Sequence, residues 1–101
     1  MTTNTKTTAF FEKAMGPMTF GAFVTAARTM LNLSQIELAR KLKVSRSMVC
    51  DIEKGRVLVS PELAVKIARI AGFPEKFAVT YCLQDQLRKA KIKMQVFVEA
   101  A

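Results

Sequence analysis

The chain has 101 residues, which predicts a single domain, and its 16 Lys and Arg against 8 Asp and Glu give a formal net charge of +8. No apolar run reaches the ~18 residues of a membrane helix, and the polar start lacks the apolar stretch of a signal peptide, so we expect a cytoplasmic protein without a membrane partner. Histidine is absent and the two cysteines form no CxxC pair, so we expect no catalytic residue, metal, cofactor or small-molecule substrate.

The net charge is the first indication of function. A charge of +8 on a small domain favours a polyanionic partner, more often nucleic acid than an anionic membrane surface.

The chain begins with a segment that has no sustained helical period. We predict residues 1–18 to be a flexible N-terminal tail, with one short helix over residues 9–14 as an option before Gly16-Pro17. From Thr19 the pattern predicts a first helix, because its apolar residues recur on one helical face: Phe20, Phe23, Val24, Ala27 and Leu31.

Two short helices are predicted next. Ser34 and Glu37 have the spacing of a capping box, and Ser45 is the cap of a following helix that ends at Gly55, with Lys43-Val44 as the break between them. The residues predicted to face the core are Ile36, Ala39 and Leu42 in the first helix and Met48, Val49 and Ile52 in the second.

Two longer helices and a strand are predicted to follow. Ser60-Pro61-Glu62 starts a helix that ends at Gly72, and Pro74-Glu75 opens another that runs to about residue 90. Beyond it, apolar and polar residues alternate, which predicts a strand. Because a lone strand leaves backbone groups unpaired, we expect residues 92–101 to be a dimer element with an interface of Ile92, Met94, Val96 and Val98.

Residues 34–55 resemble the phage-repressor-like (XRE, Cro/C-repressor) helix-turn-helix DNA-binding family. The shared features are Gln after the first cap, a Leu-Ala pair, Val-Ser before the second helix and Ile-Glu-x-Gly after it. With the neighbouring helices the resemblance covers roughly residues 19–72. It implies an all-α fold, a lambda-repressor-like domain of about five helices over residues 19–91. Lys43 departs from the family, which usually has Gly at this turn.

The resemblance also implies a DNA-binding surface, in which the helix from Arg46 lies in the major groove. The base-contacting positions are Arg46, Ser47, Cys50 and Asp51, and the phosphate-contacting positions are Gln35, Lys43, Lys54 and Arg56. Arg28 and Glu53 match an ion pair that holds the first helix to the recognition helix.

Other interpretations are open for several of the polar and charged residues. Ser47 and Asp51 are also consistent with solvent exposure alone, and Cys50 is either an ordinary small residue or a redox-sensitive one. The acidic and basic residues 51–54 are spread around a helix, which argues against a nuclease site. Arg88, Lys89, Lys91 and Lys93 form either a solvated edge or an additional phosphate-contacting surface.

The function implied is a sequence-specific regulator that binds double-stranded DNA, a homodimeric repressor of a palindromic operator. The alternative is the antitoxin of a toxin–antitoxin pair, in which Phe10-Phe11 and the C-terminal strand dock on a toxin protein. A tightly bound second protein on co-expression with the adjacent gene discriminates between the two hypotheses.

Overall fold

The structure is a computed structural model that describes residues 19–101. Those residues form five helices: α1 (Phe20–Met30), α2 (Gln35–Leu42), α3 (Arg46–Glu53), α4 (Pro61–Ala71) and α5 (Glu75–Lys89). The prediction of an all-α, five-helix domain is confirmed. The tail and short helix predicted within residues 1–18 lie outside the described residues. None of the five helices is long and apolar enough to cross a membrane.

Hydroxyl side chains start four of the five helices. Thr19, Ser34, Ser45 and Ser60 each accept a hydrogen bond from the backbone N–H three residues later, at 3.0 to 3.2 Å. At α2 the capping box is complete, because Glu37 accepts in return from the backbone N–H of Ser34 at 2.9 Å. These bonds satisfy N–H groups that a helix leaves without an internal partner.

All five helices end in the same turn, in which one residue adopts a left-handed conformation. The two backbone bonds of this turn run back to carbonyls three and five residues earlier, the pattern of a Schellman motif. The left-handed residues are Asn32, Lys43, Gly55, Gly72 and Lys91, with φ between 56° and 75°. Only two of the five are glycine, so the turn is set by the helix ends and their packing as well as by residue type.

The core lies between α1 and the helices around it, since α1 packs on α3, α4 and α5. Its least exposed large side chains are Val24, Leu42, Val49 and Ile67, each at 2% exposure or less. Cys82, also buried, donates its thiol to the carbonyl of Val59 at 3.0 Å. Burial raises the pKa of this thiol above its ordinary value.

Three residues predicted to face the core are exposed instead. Ile36 is 48% exposed, because the buried face of α2 is formed by Leu38, Ala39 and Leu42 and its centre lies about a third of a helical turn away. Met48 is 39% exposed because the first turn of α3 lies open to solvent. Leu31 is 40% exposed and follows the last residue of α1.

The prediction of a C-terminal strand is wrong. Residues 92–101 form no ladder, and no second strand exists in the described chain with which they could pair. The N–H of Met94 instead donates to the carbonyl of Ile92, a tight turn that interrupts a regular strand. The side chain of Gln84 on α5 supplies the missing backbone partners, donating to the carbonyl of Met94 at 2.8 Å and accepting from the N–H of Val96 at 2.9 Å.

Candidate nucleic-acid interface

The turn between α2 and α3 sets the orientation of α3 relative to α2. Lys43 has φ 59° and ψ 43°, the left-handed conformation, and its N–H donates to the carbonyl of Arg40 at 3.2 Å. A non-glycine residue in this conformation costs about 1 kcal/mol. From α4, the ammonium of Lys66 donates to the carbonyl of Leu42 at 2.9 Å, which further fixes the end of α2.

The buried side of α3 holds the helix against the core and leaves its other side to solvent. Val49 and Ile52 are 1% and 2% exposed. Of the residues predicted to contact bases, Arg46 and Ser47 are exposed in the first turn, whereas Cys50 and Asp51 are half-buried one turn later. The structure therefore presents all four on the accessible side of one helix, most openly at its N-terminus.

An ion pair joins the last turn of α1 to the end of α3. The guanidinium of Arg28 donates to the two carboxylate oxygens of Glu53 at 2.7 and 3.2 Å, and also to the carbonyl of Leu33 at 2.9 Å. The side chain of Glu53 is only 7% exposed. This geometry fixes α1, the α1–α2 turn and α3 relative to one another.

Gln35 belongs to the same network, although its position predicted a phosphate contact. Its side-chain amide donates to Glu53 at 3.1 Å. Burial acts to raise the pKa of Glu53, but the hydrogen bonds from Arg28 and Gln35 and the charge of Arg28 outweigh it, so this pKa lies below its ordinary value. Glu53 is therefore a carboxylate that remains charged inside the interface between the helices.

Exposed cations flank α3, with Lys43 before its N-terminal cap and Lys54 and Arg56 after its C-terminal end. Lys43, Lys54 and Arg56 are exposed, and Arg56 lies 3.4 Å from the carboxylate of Asp51. This is a loose and exposed ion pair, which contributes little to stability and leaves the guanidinium accessible. Within residues 19–101, no ion pair involves Lys43, Lys54 or Arg46.

Two residues that position this surface do not stand out in the sequence as functional. A Cβ on Gly21 would lie 2.5 Å from the carbonyl oxygen of Glu53 and 2.6 Å from that of Ile52, so only glycine lets α1 approach the end of α3 so closely. The carboxylate of Asp85 accepts from the N–H of Phe20 at 3.0 Å and from Arg88 at 2.7 Å. The sequence signal for Gly21 is a glycine inside a helical pattern, while Asp85 has no local signal for a partner 65 residues away.

The composition of this surface suits an anionic ligand. Within the described residues, no group of three or more His, Cys, Asp or Glu side chains is placed to hold a metal ion. Exposed cations lie near both ends of α3, and polar side chains are exposed in its first turn, which suits a polyanion.

Comparisons with known proteins agree with this geometry. A helix-turn-helix family model matches residues 24–76, more than half of the chain and a range that contains α2 and α3. An uncharacterised HTH-type transcriptional regulator of Methanocaldococcus jannaschii is 49% identical over 45 residues, which are 45% of this chain and 68% of the relative. The chain therefore belongs to the phage-repressor-like (XRE) helix-turn-helix DNA-binding family.

Proposed function

We propose that this protein is a sequence-specific regulator of transcription that places α3 in the major groove of double-stranded DNA. The observation that supports it most is the exposed first turn of α3, whose polar side chains project from a helix that Val49, Ile52 and Glu53 hold against the core. A helix presented in this way fits the width of the major groove. The relative's description as a transcriptional regulator points to the same function.

The base contacts in this proposal come from the accessible side of α3. Arg46 has the reach and the fork geometry to donate two hydrogen bonds to a guanine, and Ser47 can donate to or accept from a base edge. Asp51 accepts from a cytosine amino group, although it shares its carboxylate with Arg56 at 3.4 Å. Cys50 is half-buried beside them and makes at most a packing contact with a base.

The phosphate contacts flank this helix. Lys54 and Arg56 follow its C-terminal end, and Lys43 precedes its N-terminal cap. Gln35 donates its side-chain amide to Glu53, so in this proposal it contacts phosphate through its backbone N–H, one of the groups that the first turn of α2 leaves without an internal partner.

We further propose that the active form is a homodimer that represses from a palindromic operator. A single module reads only a few base pairs, and two-fold pairing places two recognition helices about one helical turn apart. The apolar C-terminal segment is the dimer surface in this proposal: Ile92 and Met94 are 42% and 68% exposed, while Val96 and Val98 are half-buried. Deletion of residues 92–101 should give monomers by light scattering, and a dimer that survives the deletion would contradict this interface.

The same exposed segment favours one other function. An antitoxin uses a surface of this kind to hold a toxin protein, while its helix-turn-helix binds the shared promoter. Co-expression with the product of the adjacent gene tests this alternative, because a stable complex in which Met94 and Phe97 become protected from solvent supports it. An isolated dimer that protects the same residues supports the plain repressor.

Selection from a random pool of duplex DNA, with purified protein at near-physiological salt, tests the proposed function. We expect an enriched two-fold symmetric site whose half-sites are about one helical turn, ~34 Å, apart. Binding without any enriched sequence would contradict a sequence-specific regulator.

A further inference from the structure

A lysine of α5 lies at the C-terminal end of the recognition helix. The ammonium of Lys89 donates to the carbonyl oxygen of Gly55 at 2.5 Å, a contact between residues 34 positions apart. Gly55 stands between Lys54 and Arg56 in the chain. The fold therefore adds a third cation to the two that already mark this end of α3.

The charge of Lys89 is not neutralised within the described residues. Its neighbour Arg88 pairs with Asp85 at 2.7 Å, so the guanidinium has a carboxylate partner. Lys89 is exposed and has a carbonyl oxygen as its hydrogen-bond partner, with no carboxylate within ion-pair distance. An ammonium has three donors, so two of them remain for another acceptor.

The carbonyl contact fixes where the ammonium is. A free lysine on a helix surface samples many positions and loses side-chain entropy when it binds. Lys89 is already held next to Gly55, whose two chain neighbours are the exposed Lys54 and Arg56. A cation held in place beside two further cationic residues suits the phosphates of a nucleic-acid backbone.

We propose that Lys89 is a phosphate contact, so that the DNA-binding surface extends from α3 onto α5. This inference rests on the proposed DNA-binding function and adds to it a contact outside the helix-turn-helix pair. It predicts that the complex binds one more phosphate than α2 and α3 provide.

The salt dependence of binding tests this proposal, because each neutralised phosphate contributes about 0.9 to the slope of log affinity against log salt. Fluorescence anisotropy would be measured between 50 and 200 mM KCl, roughly the range over which this term is usually resolved. The probes are a 30-base-pair duplex that contains the selected operator and an unrelated duplex of equal length. The variants are Lys89→Gln, Lys89→Arg and, as a control on the same helix, Lys76→Gln.

We expect Lys89→Gln to lower the slope by about 0.9. The variant's loss of DNA affinity relative to wild type should therefore shrink about threefold from the low to the high end of this salt range. Lys89→Arg should keep the wild-type slope because it keeps the charge, and Lys76→Gln should also keep it. An unchanged slope for Lys89→Gln would overturn the proposal and leave Lys89 as a structural partner of Gly55. Failure of wild-type protein to bind either duplex would overturn the DNA-binding function itself.

A second measurement locates the contact. Ethylation of single phosphates in the operator should reveal one phosphate whose modification weakens wild-type binding and no longer affects Lys89→Gln. Identical interference patterns for the two proteins would overturn the proposal. Thermal unfolding of each variant establishes that the comparison is made between folded proteins.

Discussion

Gly21→Ala should destabilise the protein, although alanine is the better helix former. The new Cβ would lie 2.5 Å from the carbonyl oxygen of Glu53, and ordinary contact begins near 3.4 Å, so the end of α3 must withdraw by about 0.9 Å. The three nearest atoms all belong to the backbone of α3, which cannot rotate away as a flexible side chain would. Overpacking of this kind costs about 3 kcal/mol at the upper end, and the gain in helix propensity returns about 1 kcal/mol.

The net expectation is a loss of about 2 kcal/mol in the free energy of unfolding, or roughly 10 °C in melting temperature. Urea denaturation measures the free energy directly. Ala26→Gly, at an exposed position of the same helix, is the matched control and should lose about 1 kcal/mol from propensity alone. Should Gly21→Ala prove as stable as wild type or more so, the close approach of α1 to α3 would be refuted.

Three further substitutions test the helix-end turns and the ion pair between Arg28 and Glu53. Lys43→Gly should raise the free energy of unfolding by about 1 kcal/mol, because it removes the strain of a left-handed lysine. Gly72→Ala, in the equivalent turn of α4 and with open space around the new Cβ, should lower it by a similar amount; no difference between the two in urea denaturation would contradict the turn geometry. Glu53→Gln should cost about 3 kcal/mol at neutral pH, because it leaves Arg28 without its counter-ion. The lowered pKa of Glu53 means that its contribution is present above the ordinary value of 4.5 and is lost as pH falls through the folded-state pKa. The stability gap between wild type and Glu53→Gln should therefore close in acid, and a gap independent of pH would exclude this origin.

The local features of this fold were predictable from the sequence. Ser34, Ser45 and Ser60 were identified as caps because a hydroxyl oxygen at a helix start accepts from a backbone N–H only a few residues away. Gly55 and Gly72 were identified as helix ends for a similarly local reason. The resemblance of residues 34–55 to a known family supplied the assembly of these helices, which local chemistry alone does not determine.

The features that were missed depend on distant parts of the chain. The alternation in residues 92–98 is a strand signal, but a strand needs a partner, and α5 instead satisfies the backbone through Gln84. Burial at Met48 was overestimated because periodicity places it near Ile52 but does not show that the first turn of α3 lies outside the core. The close approach of Gly21 to Glu53 likewise results from packing between helices, which the spacing of residues within one helix does not reveal.

In the proposed complex, the first turn of α3 determines which DNA sequence is bound. Duplex selection repeated with Arg46→Ala alongside wild type tests this role. We expect the variant to lose preference at one base position in each half-site, with a cost of about 1–3 kcal/mol on the wild-type operator, while the other positions are retained. The same enriched site with undiminished preference at every position would show that Arg46 does not read a base.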